Sequence, residues 1–305
     1  MSESAEFSTW VRDYNGLAFL HPQWRLLFIS VPKAAGTSLN IALTRSAGIP
    51  FPGRFLYSTG EESLVSQTIW DGAAGGRPTV DGLADPAYDR LMREGLGTVF
   101  TVVRHPVARL LSTWSSKYLV RAPYYRTRIG LPDDALVQFT ELDQVLADLD
   151  RLVDHLYENP GIERRDGHLT AQRDLLRGDL RRFDHVGRAE RLPDTVGWLS
   201  ARLAELGVGL HPVGRDNESV ASVDPAMLRP RTLSRMRDLA AADCAFLGYD
   251  VDDLPTGGSL CAASLPAINR EIEHQVRAEV LHRAGRPRVA TAARGLLGRA
   301  RSLVS

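Results

Sequence analysis

The feature that most constrains this chain is a junction near its start. Arg25–Val31 (RLLFISV) is a short apolar run of strand length. It passes directly into Pro32–Ser38 (PKAAGTS), and that into Leu39–Leu43 (LNIAL), whose apolar positions repeat at helical spacing. Strand, loop and helix in that order follow. The pattern recurs at Gly97–Val103 (GTVFTVV), a nearly unbroken β-branched run of the kind buried on both faces of a parallel sheet. Arg104-His105-Pro106 breaks that run, and Val107–Leu119 continues as a helix with proline near its first turn. Further helical patterns cover Asp133–Tyr157, His168–Arg177, Thr195–Leu206 and Thr232–Phe246, with a short strand at Phe183–Val186. Strands alternating with helices predict an α/β chain: a central parallel sheet covered by helices on both faces.

Bulk properties exclude several classes. The formal net charge of 305 residues is zero, against the basic excess of a general nucleic-acid binder. Two cysteines, Cys244 and Cys261, support no disulfide framework, and the scattered histidines show no metal-ligand spacing, so no metal is expected. No apolar run approaches membrane-helix length, and the start has no secretory pattern; the expected location is cytoplasmic. Gly72–Pro86, rich in Gly, Pro and Asp, reads as a loop. Residues 1–264 read as one domain, and 265–305 as a helical, arginine-rich extension. Within it Arg283–Ser305 has six arginines, no acidic residue and apolar positions at roughly helical spacing. That segment reads first as a terminal helix packed on the body, and otherwise as a basic amphipathic helix making weak contact with an anionic membrane surface.

The first loop has the chemistry of an anion site. A loop entering a helix N-terminus offers backbone N–H groups and the positive end of the helix dipole. Gly36 permits close backbone approach, Thr37 and Ser38 add hydroxyls, and Lys33 adds a charge. Of 37 basic residues only Lys33 and Lys117 are lysine. A P-loop kinase is the nearest competitor, but its pattern places lysine directly after the last glycine, whereas Lys33 precedes Gly36. The second strand also ends in Arg104 rather than in a magnesium-holding aspartate. Arg104 stands at the carboxyl end of a buried strand, where open α/β sheets bind ligands. Ser112 follows on the next helix, with Arg109 expected on the same face. Arginine and a hydroxyl together suit a second phosphate.

On these residues the chain resembles the sulfotransferases that use 3'-phosphoadenosine 5'-phosphosulfate (PAPS). Phe28–Leu39 (FISVPKAAGTSL) is similar to their 5'-phosphosulfate loop and Val102–Ser112 (VVRHPVARLLS) to their 3'-phosphate motif. His168–Gln172 (HLTAQ), Phe183–Glu190 (FDHVGRAE) and Phe246–Tyr249 (FLGY) add support, and the likeness is nearest to the carbohydrate, Golgi-type branch. His105 departs from the aspartate usual there, and no Arg-Lys-Gly triplet of the phenol and steroid enzymes occurs. The resemblance implies a P-loop-like three-layer fold and a soluble, bacterial-type enzyme with PAPS as co-substrate. Lys33, Ala35, Gly36, Thr37, Ser38, Arg104 and Ser112 would hold PAPS, with Lys33 also stabilising the leaving phosphate. The sulfuryl group would pass to a hydroxyl, less readily an amine, of a carbohydrate, glycolipid or natural-product acceptor. His168 is the first candidate for general base, with Glu61 and Glu62 as rivals. Lys117 is expected on the exposed side of its helix, and Tyr118, Tyr124 and Tyr125 as core or surface residues that could stack on an acceptor ring. A protein that binds PAPS or its product without turnover, and a P-loop-type small-molecule kinase, are the alternatives.

Overall fold

The computed structural model describes residues 17–21, 24–48, 97–132, 138–214, 220–254 and 256–284. Its centre is a four-stranded sheet in the order β1 (Ala18–His21), β2 (Leu26–Ser30), β3 (Thr98–Val103), β4 (His185–Arg188). The last three are parallel, with Leu26 opposite Thr98 and Phe100 opposite His185. Leu26 to Ile29 and Phe100 to Val103 are almost completely buried, which is why both runs lack the apolar–polar alternation of a half-exposed strand. The edge strand β1 runs antiparallel to β2, with Phe19 opposite Phe28, and was not read from the sequence. Four residues carry too little periodicity to stand out; pairing with a buried neighbour makes them a strand.

Eight α-helices surround the sheet among the described residues. They are α1 (Gly36–Ser46), α2 (Pro106–Thr113), α3 (Ala122–Arg128), α4 (Leu142–Glu158), α5 (Gln172–Leu175), α6 (Leu192–Ala204), α7 (Pro230–Leu247) and α8 (Leu265–Ala284). Helix α2 runs on as a π-helical segment, Trp114–Leu119, so the expected Val107–Leu119 helix is one rod of two windings. Phe28 stacks on Phe100 with ring centroids 4.6 Å apart, and Phe100 and His185 both meet Trp198 of α6. That helix therefore covers the aromatic face of the sheet. A second apolar core joins α2, the π segment, α4 and α7 through Trp114, Leu149, Leu152 and Met236, each fully buried. Each such side chain contributes about 1.5–3 kcal/mol on burial. Ile268 and Ile272 of α8 enter this core, and Asn269 both accepts from and donates to the Phe139 backbone.

Two boundaries moved for identifiable reasons. The helix expected over His168–Arg177 is reduced to α5, because Asp166 draws the preceding residues into a turn. Its carbonyl accepts from Leu169 and Thr170 N–H, and its carboxylate from His168 N–H. The strand expected over Phe183–Val186 starts later because Asp184 pins its entry, its carboxylate accepting from Val99 N–H at 2.7 Å while its own N–H donates to Val99 O. Glu61, Glu62, Gly72–Pro86 and residues 285–305 lie outside the described residues.

Candidate functional site

At the carboxyl ends of β2 and β3 the two loops open onto one cleft of about 910 Å³. Its lining includes Lys33, Ala35, Gly36, Thr37, Ser38, Arg104, Ser112 and His168, so the expected cofactor residues, Lys33 and the first candidate base face the same space. Those residues come from separate elements; the sheet brings them together.

The loop at 32–35 is held in an uncommon backbone shape. Lys33 (φ 69°) and Ala35 (φ 63°) both lie in the left-handed region, where a side chain is strained by about 1–2 kcal/mol. Two such residues flank Ala34, whose N–H donates to Val31 O at 3.2 Å, so the chain closes a tight turn just after β2 before α1 begins. Helix α1 then starts on Ala35 with no side-chain cap and no acidic residue in its first turn, which leaves its dipole facing the cleft. Gly36 has a reason the sequence did not supply. A Cβ there would lie 2.0 Å from Ser30 Oγ, so glycine lets the loop fold down onto the end of β2.

Arg104 is clamped at its backbone by Gln172, which is fully buried. Gln172 Oε1 accepts from Arg104 N–H at 3.0 Å, and Nε2 donates to Arg104 O at 2.7 Å. The Arg104 side chain donates to Lys33 O at 3.3 Å, so the two loops are joined directly. Burial lowers its guanidinium below the usual arginine value, partly offset by Glu190 and Tyr249. Glu190 holds the residue that leads into α2, accepting from His105 N–H at 2.7 Å and from Tyr249 OH at 2.9 Å.

His168 is half of a buried-carboxylate dyad. Its Nδ1 lies 2.9 Å from Asp166 Oδ1, and Asp166 Oδ2 accepts from Tyr118 OH at 2.7 Å. Burial pushes the Asp166 carboxyl up, but hydrogen bonds from His168 and Tyr118 outweigh it and hold the group at about 2. The carboxylate places the ring proton on Nδ1 and the lone pair on Nε2. Thr113 Oγ1 donates to His168 O, and Tyr125 meets the imidazole edge to face at 5.5 Å. Asp166, Gln172 and Glu190 were all missed; an acidic residue two before a candidate histidine was the available signal for the first.

Two expectations are corrected. Lys117 is not on an exposed face: it is 3% exposed, lines the cleft, and sits 5.2 Å from the Tyr125 ring centroid. The π-helical winding turns it inward with Ser112. Arg109 does not line the cleft beside Ser112. Ser112 and Ala108 line the cleft, whereas Arg109 is buried and donates to the Pro32 and Gly167 carbonyls. Tyr118 and Tyr125 are core residues; the side chain of Tyr124 lies outside the described ones.

Comparison with known proteins agrees with this geometry. No curated protein and no solved structure matches the chain. A family model described as the sulfotransferase family matches residues 18–208, from β1 through both cleft loops and the His168 turn to just past α6. The chain belongs to the sulfotransferase family.

Proposed function

We propose that this enzyme transfers the sulfuryl group of PAPS to a hydroxyl of a carbohydrate, glycolipid or natural-product acceptor, as a member of the carbohydrate branch. The observation that carries the reading is the single cleft lined by Lys33, the α1 N-terminus, Arg104, Ser112 and His168. The α1 N-terminus and Lys33 take the 5'-phosphosulfate, and Arg104 with Ser112 takes the 3'-phosphate. The apolar stretch of the lining at Leu192, Pro193, Val196 and Val213 suits the purine. A cytoplasmic setting suits two free cysteines, one of them exposed.

In the reaction the acceptor oxygen attacks sulfur in line with the bond to the 5'-phosphate. Its proton passes to His168 Nε2, and Asp166 stabilises the imidazolium that forms. The sulfur–oxygen bond to the phosphate breaks and 3',5'-ADP leaves with the electron pair. Lys33 and the loop N–H groups meet the charge that develops on the leaving oxygen.

Thermal shift with 3',5'-ADP, AMP and ATP–Mg²⁺ tests the donor. We expect 3',5'-ADP to stabilise by about 2.7 kcal/mol at a hundredfold excess over its Kd, and AMP far less. Stabilisation by ATP–Mg²⁺ without 3',5'-ADP would point to a kinase and end the reading. Binding of 3',5'-ADP with no labelled-sulfate transfer to any acceptor in a panel of glycosides, glycolipids and phenols would make the protein a non-catalytic binder.

A further inference from the structure

Arg109 takes no part in the cleft surface, yet it is placed between the two loops that would do the chemistry. It is 4% exposed, so its guanidinium is almost wholly removed from water. Its Nε donates to Pro32 O at 3.0 Å, and its Nη2 to Gly167 O at 3.3 Å. Pro32 directly precedes Lys33, and Gly167 lies between Asp166 and His168. Both acceptors are backbone carbonyls, so the contact holds the course of each loop rather than a side chain. The guanidinium is planar, with donors at fixed angles, and fixes direction as well as distance in a way an ammonium cannot. Neighbours on the same stretch reinforce both ends: Arg104 donates to Lys33 O, and Thr113 to His168 O. Asp166 and Asp243 act electrostatically on this cation against the effect of burial, which lowers it to about 10 and leaves it charged at neutral pH.

We infer that Arg109 is a positioning residue that aligns Lys33 with His168, by tying the phosphate loop to the dyad turn. The inference rests on the donor and base assignments made above. An in-line transfer needs attacking oxygen, sulfur and leaving oxygen on one axis. Here the leaving side is held by one loop and the attacking side by another, distant in sequence. A misplacement of about 1 Å between them is enough to slow such a step by about a hundredfold.

The test compares the full-length wild type with Arg109→Lys, Arg109→Ala, His168→Ala and the Arg109→Lys/His168→Ala double variant. Melting temperature, 3',5'-ADP affinity and the rate of 3',5'-ADP release from PAPS are measured, with water or a panel acceptor receiving the sulfuryl group. In Arg109→Lys we expect the melting temperature and 3',5'-ADP affinity to stay near wild type while the rate falls about a hundredfold. Millimolar guanidinium should recover much of the rate in Arg109→Ala, and methylammonium should not. In the His168→Ala background, Arg109→Lys should slow release little further, because no base remains to be aligned. An unchanged rate in Arg109→Lys, or the same hundredfold loss with His168 absent, overturns the inference; Arg109→Lys decides it even where Arg109→Ala fails to fold. A wild type that neither binds 3',5'-ADP nor releases it from PAPS overturns the donor reading instead.

Discussion

At the scale of single residues, what matters in this sulfotransferase is which groups are held rather than which are present. Lys33 is held by a strained backbone, and Lys33→Ala should reduce sulfuryl transfer about 10²–10³-fold with an unchanged melting temperature, as measured with labelled PAPS. His168 is held by Asp166. Asp166→Asn keeps the shape but can donate to Nδ1 and reverse the tautomer. Transfer should fall about a hundredfold or more while 3',5'-ADP affinity stays near wild type, read by kinetics beside calorimetry. The lysine was legible in the sequence because loop, glycine and helix start are contiguous. The aspartate was not, since a carboxylate two residues from a histidine is ordinary on a surface and becomes a fixed partner only when the fold buries it, as it does Asp166.

At the scale of elements, two junctions carry the site. The first is the seat of the phosphate loop on β2. In Gly36→Ala the new methyl meets Ser30 Oγ, which must rotate away, so we expect a loss of about 1–3 kcal/mol and weaker 3',5'-ADP binding. Adding Ser30→Ala should restore part of both, leaving only the tighter contact with Ser30 Cβ at 3.3 Å; denaturant unfolding of the single and double variants checks it. The second junction is the helical layer behind the dyad, where Asp148 of α4 accepts from Trp114 Nε1 and pairs with Arg126 of α3, both members of the pair being at most 1% exposed. Asp148→Ala leaves a cation buried without its carboxylate and should destabilise by about 3–5 kcal/mol, whereas Asp148→Leu with Arg126→Met should restore much of that stability. Apolar spacing made α4 readable here, whereas the 7-residue α3 was not read from the sequence. Where the spacing misled, at residues 168–171, a side chain competed for the backbone: Asp166 closes a turn that periodicity cannot register.

At the scale of the whole molecule, acid stability reports two buried groups. His21 at the sheet edge is 1% exposed, stacks on Trp24, and has no hydrogen-bond partner on either ring nitrogen among the described residues; burial lowers it from 6.5 to about 4. The folded state holds it neutral, so its contribution is complete above pH 6.5 and is lost as pH falls toward 4, a change of about 3 kcal/mol. Asp166, lowered from 3.8 to about 2, contributes above 3.8 and is lost as pH falls toward 2. Urea unfolding against pH should show the first decline vanish in His21→Phe and the second in Asp166→Asn. By itself the sequence determined the strand–loop–helix units, the parallel α/β class and the two loops that meet at the cleft. Those depend on contacts within a dozen residues, where apolar period, glycine and a helix start are enough. Only the tertiary structure decided the edge strand, the inward turn of Lys117, the Asp166–His168 dyad and the link from Arg109 to Pro32 and Gly167. Each depends on surroundings supplied by distant parts of the chain, such as Tyr118 for Asp166, and burial is what converts a surface charge into a directed one.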